Sequence, residues 1–265
     1  MYIIRLMRVS LRGVAAVVAL VVVAGCGAMF GREHEYEEQL YLEVDGSAAV
    51  TVNASIPALV ELRGLPLDPA PRARFEPLVL RRTLESQGCN VARIGAPWFR
   101  HGRRFIHVRV VADDVASLSK CALLSWSTYR FERGGSAIQI QQKAGASANG
   151  PAGAVTWTGN ERVAFRMHLP SKVLFHNVRR LLDNTTGDIE RGNILTWEQR
   201  LSDRLAGVPV DMQVAMDPQS ILYRTLWLFV GSFAAAMVVL AGLIWWTVRK
   251  GRAQARAFTA PRPRV

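Results

Sequence analysis

The sequence predicts an α+β domain, with a mostly antiparallel sheet and two or three short helices, followed by one transmembrane helix. Three patterns support this fold class. Apolar and polar residues alternate with a period of two in several segments, as they do in half-buried strands. Two segments carry the cap and proline signals of short helices. A long uncharged apolar run lies near the C-terminus.

Residues 1–25 have the composition of a bacterial signal peptide. Three arginines precede an apolar stretch from Gly13 to Ala24, which is too short to span a bilayer comfortably. Small residues immediately before Cys26 form a lipobox-like site, in which the thiol is acylated and the leader is removed. Cys26 is therefore the predicted lipidation site. The alternative is an uncleaved signal anchor, in which Cys26 is only a small apolar residue.

The clearest local signal in the predicted extracytoplasmic domain, residues 26–224, is a β-hairpin. Alternation runs from Glu38 to Val44 and resumes from Ala48 to Ala54. Between them, Asp45-Gly46 predicts a type I′ turn. In this register, Glu38 lies on the same side as the apolar residues of its strand.

Two helices are predicted after the hairpin. The first covers Ile56 to Leu62, with Ser55 as its N-cap and Pro57 in its first turn. The second covers roughly Glu76 to Gln87, and Gly88 follows at the C-terminal cap position. Its predicted apolar face consists of Phe75, Leu78, Val79 and Leu84.

The remainder of the domain is predicted to be mainly strands. A helical turn capped by Asp113 or Asp114 interrupts them, and the Gly-, Ala- and Ser-rich segment from Lys143 to Ala154 is predicted to be a flexible excursion. The predicted strands are Asn90–Ile94, Arg104–Val111, Trp126–Arg133, Ala137–Gln142, Arg162–His168, Asn193–Leu201 and Val208–Met216.

The uncharged run from Thr225 to Val248 is long enough to cross a bilayer of roughly 30 Å as a helix. The tail that follows, residues 249–265, carries basic residues and no acid, so the positive-inside rule predicts a cytoplasmic tail. The leader's arginines also start inside. The domain is therefore predicted to lie outside the cytoplasmic membrane, held by a single-pass anchor in the cell's inner membrane.

The formal net charge of +12 is concentrated in the leader and the tail. The domain between them is nearly balanced. A nucleic-acid-binding protein concentrates lysine and arginine on its folded domain, so this distribution argues against that class.

Cys89 and Cys121 are the cysteines left after Cys26. In an oxidising compartment, an even pair of cysteines favours a disulfide. Closing a loop of about 30 residues would contribute on the order of 3 kcal/mol. The alternative is a pair of buried, reduced thiols.

The sequence contains no metal-binding, phosphate-binding or nucleophile signature. No catalytic residue, metal or cofactor is therefore predicted. His107 and Arg109 share one strand face, as do Arg166 and His168. These pairs could line a groove for anions, and the alternative is the solvent-exposed face of a sheet.

The order of these features resembles that of the LppM-type bacterial lipoproteins. The likeness covers the lipobox, the strand-rich domain, the segment Gly187 to Glu198 that leads into a strand, the spanning helix and the basic tail. Similarity in the amino-acid sequence itself is confined to about Asn177 to Leu240. The resemblance implies a small α+β envelope domain, suspected in that family of handling lipid or glycolipid, with no catalytic residues to transfer.

These observations favour a membrane-anchored envelope protein that binds a lipid, a glycolipid or an envelope protein and has no catalytic activity. A second hypothesis is an assembly or scaffolding subunit that recognises a membrane protein. A third is an unrecognised hydrolase.

Overall fold

The computed structural model describes residues 34–147 and 156–259, and it has the predicted α+β fold. The predicted signal peptide, Cys26 and the last six residues lie outside the described part of the chain. The strands are β1 (Tyr36–Leu42), β2 (Ala48–Ser55), β3 (Val91–Ile94), β4 (Trp98–Arg100), β5 (Arg103–Ala112), β6 (Ser127–Arg133), β7 (Ile138–Ala144), β8 (Arg162–His168), β9 (Ser171–His176), β10 (Ile194–Arg200) and β11 (Val210–Ser220). The helices are α1 (Ile56–Arg63), α2 (Pro77–Ser86), a 3₁₀ helix (Val115–Lys120), α3 (Leu201–Leu205) and α4 (Ile221–Thr259).

The strands form two sheets rather than the one expected from the sequence. The large sheet has the order β10-β8-β1-β2-β5-β3, with β4 also paired to β5, and the small sheet has the order β6-β7-β11-β9. Pairing is antiparallel except between β1 and β8. Alternation gives the inward residues of each strand but does not tell which sheet the strand joins.

The two sheets share one hydrophobic core. On the large sheet, Leu40 pairs with Val50 on one side and with Met167 on the other, and all three are buried. On the small sheet, Ile140 pairs with Val214 in the same way. Burial of these apolar faces is the main driving force that holds the sheets together.

The β1–β2 hairpin is present, but its turn is not type I′. That turn requires a positive φ at both central residues, and of Asp45 and Gly46 only Gly46 has one, at 91°. The amide of Gly46 donates to the carbonyl of Glu43, and the amide of Glu43 donates to the carbonyl of Ser47. The loop is therefore one residue longer than predicted, and it has glycine at the left-handed position.

Helix α1 begins and ends at the predicted signals. The hydroxyl of Ser55 accepts from the amide of Ala58, and Gly64 ends the helix in the left-handed conformation. All of α1 is buried. It contacts α3 at the end of the domain where β2 and β10 finish.

Helix α2 lies where it was predicted, and its apolar face was predicted correctly at Phe75 and Leu84 but wrongly at Leu78 and Val79. Leu80 and Leu84 are buried, whereas Leu78 is 69% exposed and Val79 is 55% exposed. The helix packs through a narrow contact on β3. Such a contact covers only one row of side chains and leaves the adjacent apolar positions outside it.

The two domain cysteines are bonded in the structure. The Sγ atoms of Cys89 and Cys121 are 2.08 Å apart. Cys89 follows α2 and Cys121 follows the 3₁₀ helix, so the bond ties the ends of these two helices together.

Helix α4 leaves the domain at the end opposite α1 and α3, and it runs beyond both boundaries predicted for the spanning segment. It is long and apolar enough to cross a membrane, and no side chain of its 18-residue apolar stretch is buried against the protein. β11 continues into this helix without an intervening residue.

Candidate functional site

A buried polar cluster lies between the two sheets, centred on Glu38 of β1. The carboxylate is 1% exposed. One of its oxygens accepts from the hydroxyl of Tyr36 and from Nε1 of Trp126, each at 3.2 Å. The other accepts from the hydroxyl of Tyr129 at 3.1 Å and from Nε2 of Gln142 at 2.6 Å. Glu38 thus links the large sheet to Tyr129 and Gln142 of the small sheet and to Trp126, which immediately precedes β6.

Two arginines complete this cluster by packing on Trp126. The guanidinium carbon of Arg63 is 4.6 Å from a ring centroid of Trp126, and that of Arg204 is 5.0 Å away. Arg63 also donates to the carbonyls of Leu123 and Ala122. Arg204, which is 0% exposed, donates to backbone carbonyls that end β7. Each arginine therefore also fixes a loop.

Burial dominates the electrostatics of the cluster. It raises the pKa of Glu38, and the hydrogen bonds from Gln142, Trp126 and Tyr129 oppose that rise. Burial likewise lowers the pKa of Arg63 and of Arg204. Four donors converge on Glu38, which is the environment of a carboxylate in a sealed interior. The cluster is a structural element that joins the sheets, because a ligand has no access to it.

An accessible groove lies where the domain meets α4. We call it the helix-root groove, and its volume is about 480 Å³. Tyr41 and His168 line it from the large sheet, Arg191 and Asn193 line it from the loop before β10, and the first turn of α4 closes it. Its lining combines apolar and polar side chains: Tyr41, Leu42, Glu43, His168, Leu169, Pro170, Arg191, Asn193, Ser220, Ile221, Leu222 and Thr225.

The polar side of this groove is built around His168. Its ring stacks on Tyr41 with centroids 4.1 Å apart. Arg109 lies over the same tyrosine ring at 5.3 Å. Among the described residues, Nε2 of His168 is buried and has no hydrogen-bond partner. Burial lowers the pKa of His168, and the nearby cation of Arg166 lowers it further.

The start of α4 is fixed to the wall of the groove. The amide of Ile221 donates to the carbonyl of Pro170 at 3.0 Å, and the hydroxyl of Ser220 donates to the same carbonyl at 3.3 Å. Asn193 donates to the carbonyl of Leu169 at 2.7 Å. The groove is therefore held by hydrogen bonds from three segments of the chain.

The residues expected to line an anion groove lie at different places in the structure. His168 lines the helix-root groove, and Arg109 approaches it through Tyr41. Arg166 lies in a neighbouring depression, where it pairs with Glu37 at 3.2 Å. His107 is on the same outer face of the sheet, with its pKa lowered by burial and by neighbouring arginines.

Several important residues were not singled out from the sequence. Arg63 and Arg204 belong to the buried cluster, and Arg191 belongs to the groove. The only sequence signal was the acid Glu38 on the apolar side of its strand. A buried charge at such a position requires partners, but the sequence does not identify them.

Comparisons with known proteins give one structural likeness. Neither a protein-family model nor a curated protein matches the chain. The NMR structure of the folded domain of Mycobacterium tuberculosis LppM is similar with a TM-score of 0.37 and 13% sequence identity. The match covers 72% of this chain and 94% of that domain.

Proposed function

We propose that this chain is a membrane-anchored envelope protein whose extracytoplasmic domain binds a phospholipid headgroup in the helix-root groove, without catalysing a reaction. The observation that carries the proposal is the position of the groove. The first turn of the apolar helix α4 forms one of its walls. A groove at the root of a spanning helix lies at the depth where headgroups are found.

The lining of the groove suits an amphipathic ligand. Leu42, Leu169 and Leu222 supply apolar surface for glycerol and the upper acyl chain, whereas Arg191 supplies a cation for the phosphate. Lipid sites combine apolar walls with a few placed polar groups in this way.

Native mass spectrometry of the full chain, extracted from membranes in detergent, tests the proposal. The protein should retain one phospholipid. Arg191→Glu should reduce the retained fraction about tenfold, because it replaces attraction to the phosphate by repulsion. Arg200→Glu is the matched control, since it makes the same charge change at the opposite end of β10.

Two results would contradict the proposal. One is a protein that carries no lipid, and the other is an equal loss of lipid in both variants. Phosphatidylglycerol and phosphatidylethanolamine, added separately, would show whether the net charge of the headgroup matters. The same spectra give the mass of the mature N-terminus and so test acylation of Cys26.

A further inference from the structure

A second groove lies on the outer face of the small sheet, away from the helix-root groove and from the core. We call it the small-sheet groove, and its volume is about 600 Å³. This volume is within the range of small-ligand sites, roughly 300–1,000 Å³. Its floor and walls include Arg130, Glu132, Gln139, Gln141, Gln213 and Phe175.

A β-bulge places the aromatic wall of this groove. Ala215 of β11 pairs with Phe175, but the next residue, Met216, pairs with Val173, so Leu174 is an extra residue in β9. In a regular strand, Phe175 would face the same side as Val173, which is buried. The bulge turns Phe175 to the outer face, where it is 55% exposed. Bulges of this kind re-aim a side chain next to functional sites.

The amide groups on the floor have fixed orientations. Nε2 of Gln141 donates to one oxygen of Asp211 at 2.9 Å, and Nε2 of Gln213 donates to the other oxygen at 2.9 Å. Each amide also has a carbonyl oxygen and a second N–H that the contact with Asp211 does not use. Polar groups held in this way are ordered before a ligand arrives, so binding costs less entropy.

The charges on this face balance. Arg130 pairs with Glu132 at 2.6 Å, and Lys143 lies next to Asp211 in the strand register. A balanced face gives little attraction to a strongly anionic or cationic ligand. It suits a neutral ligand that both donates and accepts hydrogen bonds.

We propose that the small-sheet groove binds a neutral saccharide. Sugar hydroxyls donate and accept hydrogen bonds and match the ordered amides of Gln141 and Gln213, while the apolar face of a sugar ring packs on Phe175. This site and the helix-root groove share no lining residue. The saccharide proposal therefore does not depend on the lipid proposal.

Saturation-transfer NMR on the full chain in lipid nanodiscs tests the proposal. The probes are maltotriose, mannotriose and chitotriose, each at about 1 mM. At least one should receive saturation from the protein. Phe175→Leu, which removes the ring and keeps an apolar side chain, should weaken that binding about tenfold, and Gln213→Ala should weaken it about fivefold. Gln219→Ala, on the same strand but outside the groove, should leave it unchanged.

Three outcomes would overturn the proposal. The first is no saturation transfer to any of the three sugars. The second is a transfer that both Phe175→Leu and Gln213→Ala leave intact while circular dichroism shows them folded. The third is binding of an extended peptide in place of the sugars, which would identify β9 as an edge for strand addition.

Discussion

Glu38 joins groups that are far apart in the sequence, because its four donors come from β1, from β6 and β7, and from the residue before β6. Removing one partner of such a buried cluster leaves the others without compensation. The alternation around β1 placed Glu38 in register with Leu40 and Leu42, and all three are buried. It could not predict Arg63 or Arg204, because a pattern of period two contains no information on contacts between distant segments.

Glu38→Gln should lower the free energy of unfolding by about 3 kcal/mol, because an amide nitrogen would then face hydrogen-bond donors in the interior. Urea denaturation of the full chain in detergent measures the change. Glu132→Gln is the control. Its ion pair with Arg130 is largely exposed, so the change should stay within about 0.5 kcal/mol. Equal effects of the two substitutions would contradict the role given to Glu38.

Acid should destabilise the domain through its half-buried histidines. Burial lowers the pKa of His107, His168 and His176, so the unfolded state binds protons first as the pH falls. Stability should therefore decrease as the pH falls through about 6.5, the ordinary value for histidine. Glu38 acts with the opposite sign, because its raised pKa favours the folded state at low pH and that contribution is lost as the pH rises.

The contribution of the histidines is measured by the urea midpoint at about pH 7.5 and about pH 5.5. The double variant His107→Gln, His176→Gln should show a smaller loss of stability over this range than the unmodified chain. A loss of stability in the double variant as large as that in the unmodified chain would contradict this role of the histidines. Glu161, with a pKa of about 2, loses its stabilising contacts only at lower pH and does not affect this window.

At the scale of elements, the end of α2 shows how local signals and long-range contacts combine. The sequence predicted Gly88 as the end of the helix, and its φ of 82° confirms this position. A Cβ at Gly88 would lie 2.7 Å from the carbonyl oxygen of Lys120. This close approach joins α2 to the 3₁₀ helix, and it could not be predicted because it depends on the path of the chain between them.

Gly88→Ala should destabilise the domain by about 3 kcal/mol, since alanine has both an unfavourable φ and a backbone clash there. Gly102→Ala is the matched control. Gly102 has a φ of 73°, and a Cβ added to it would have no atom within 4 Å, so only the conformational cost of about 1 kcal/mol applies. Thermal unfolding of both variants gives the comparison. A cost at Gly88 no greater than that at Gly102 would contradict the clash.

The bond between Cys89 and Cys121 closes a loop with a sequence separation of 32. Replacing both cysteines by alanine should reduce the free energy of unfolding by about 3 kcal/mol. Urea unfolding of the variant, beside the unmodified chain with and without reductant, measures this loss. If reductant destabilised the double variant as much as the unmodified chain, the effect would not come from this bond.

Nine of the eleven strands in the described part of the chain were predicted, because alternation is a local property, whereas β4 and β9 were not. The extra residue at Leu174 puts Phe175 on the outer face, and no period-two pattern contains that information. The helix-root groove combines residues from β1, β8, β11 and α4. The sequence identified His168 as a candidate but could not place it beside Arg191 or the start of α4.

For the whole molecule, the distribution of basic residues predicts that the domain is outside the inner membrane and the tail is inside. Alkaline phosphatase fused after Leu201 should be active in a bacterial host, and a green fluorescent protein fused after Val265 should fluoresce. Replacing the tail's Arg249, Lys250 and Arg252 by glutamine is expected to weaken this orientation. An inactive phosphatase fusion that is stably expressed would contradict the topology.

The direct passage from β11 into α4, with Ile221 bonded to Pro170, has a mechanical consequence. As a membrane-spanning helix, α4 should move the sheets with it when it tilts, because Ser220 and Ile221 bond its start to the carbonyl of Pro170. Both grooves would then keep a fixed distance from the lipid bilayer and a fixed orientation relative to it. A glycine-serine spacer inserted after Ser220 would uncouple both grooves from the motion of α4 while leaving each groove's own residues intact.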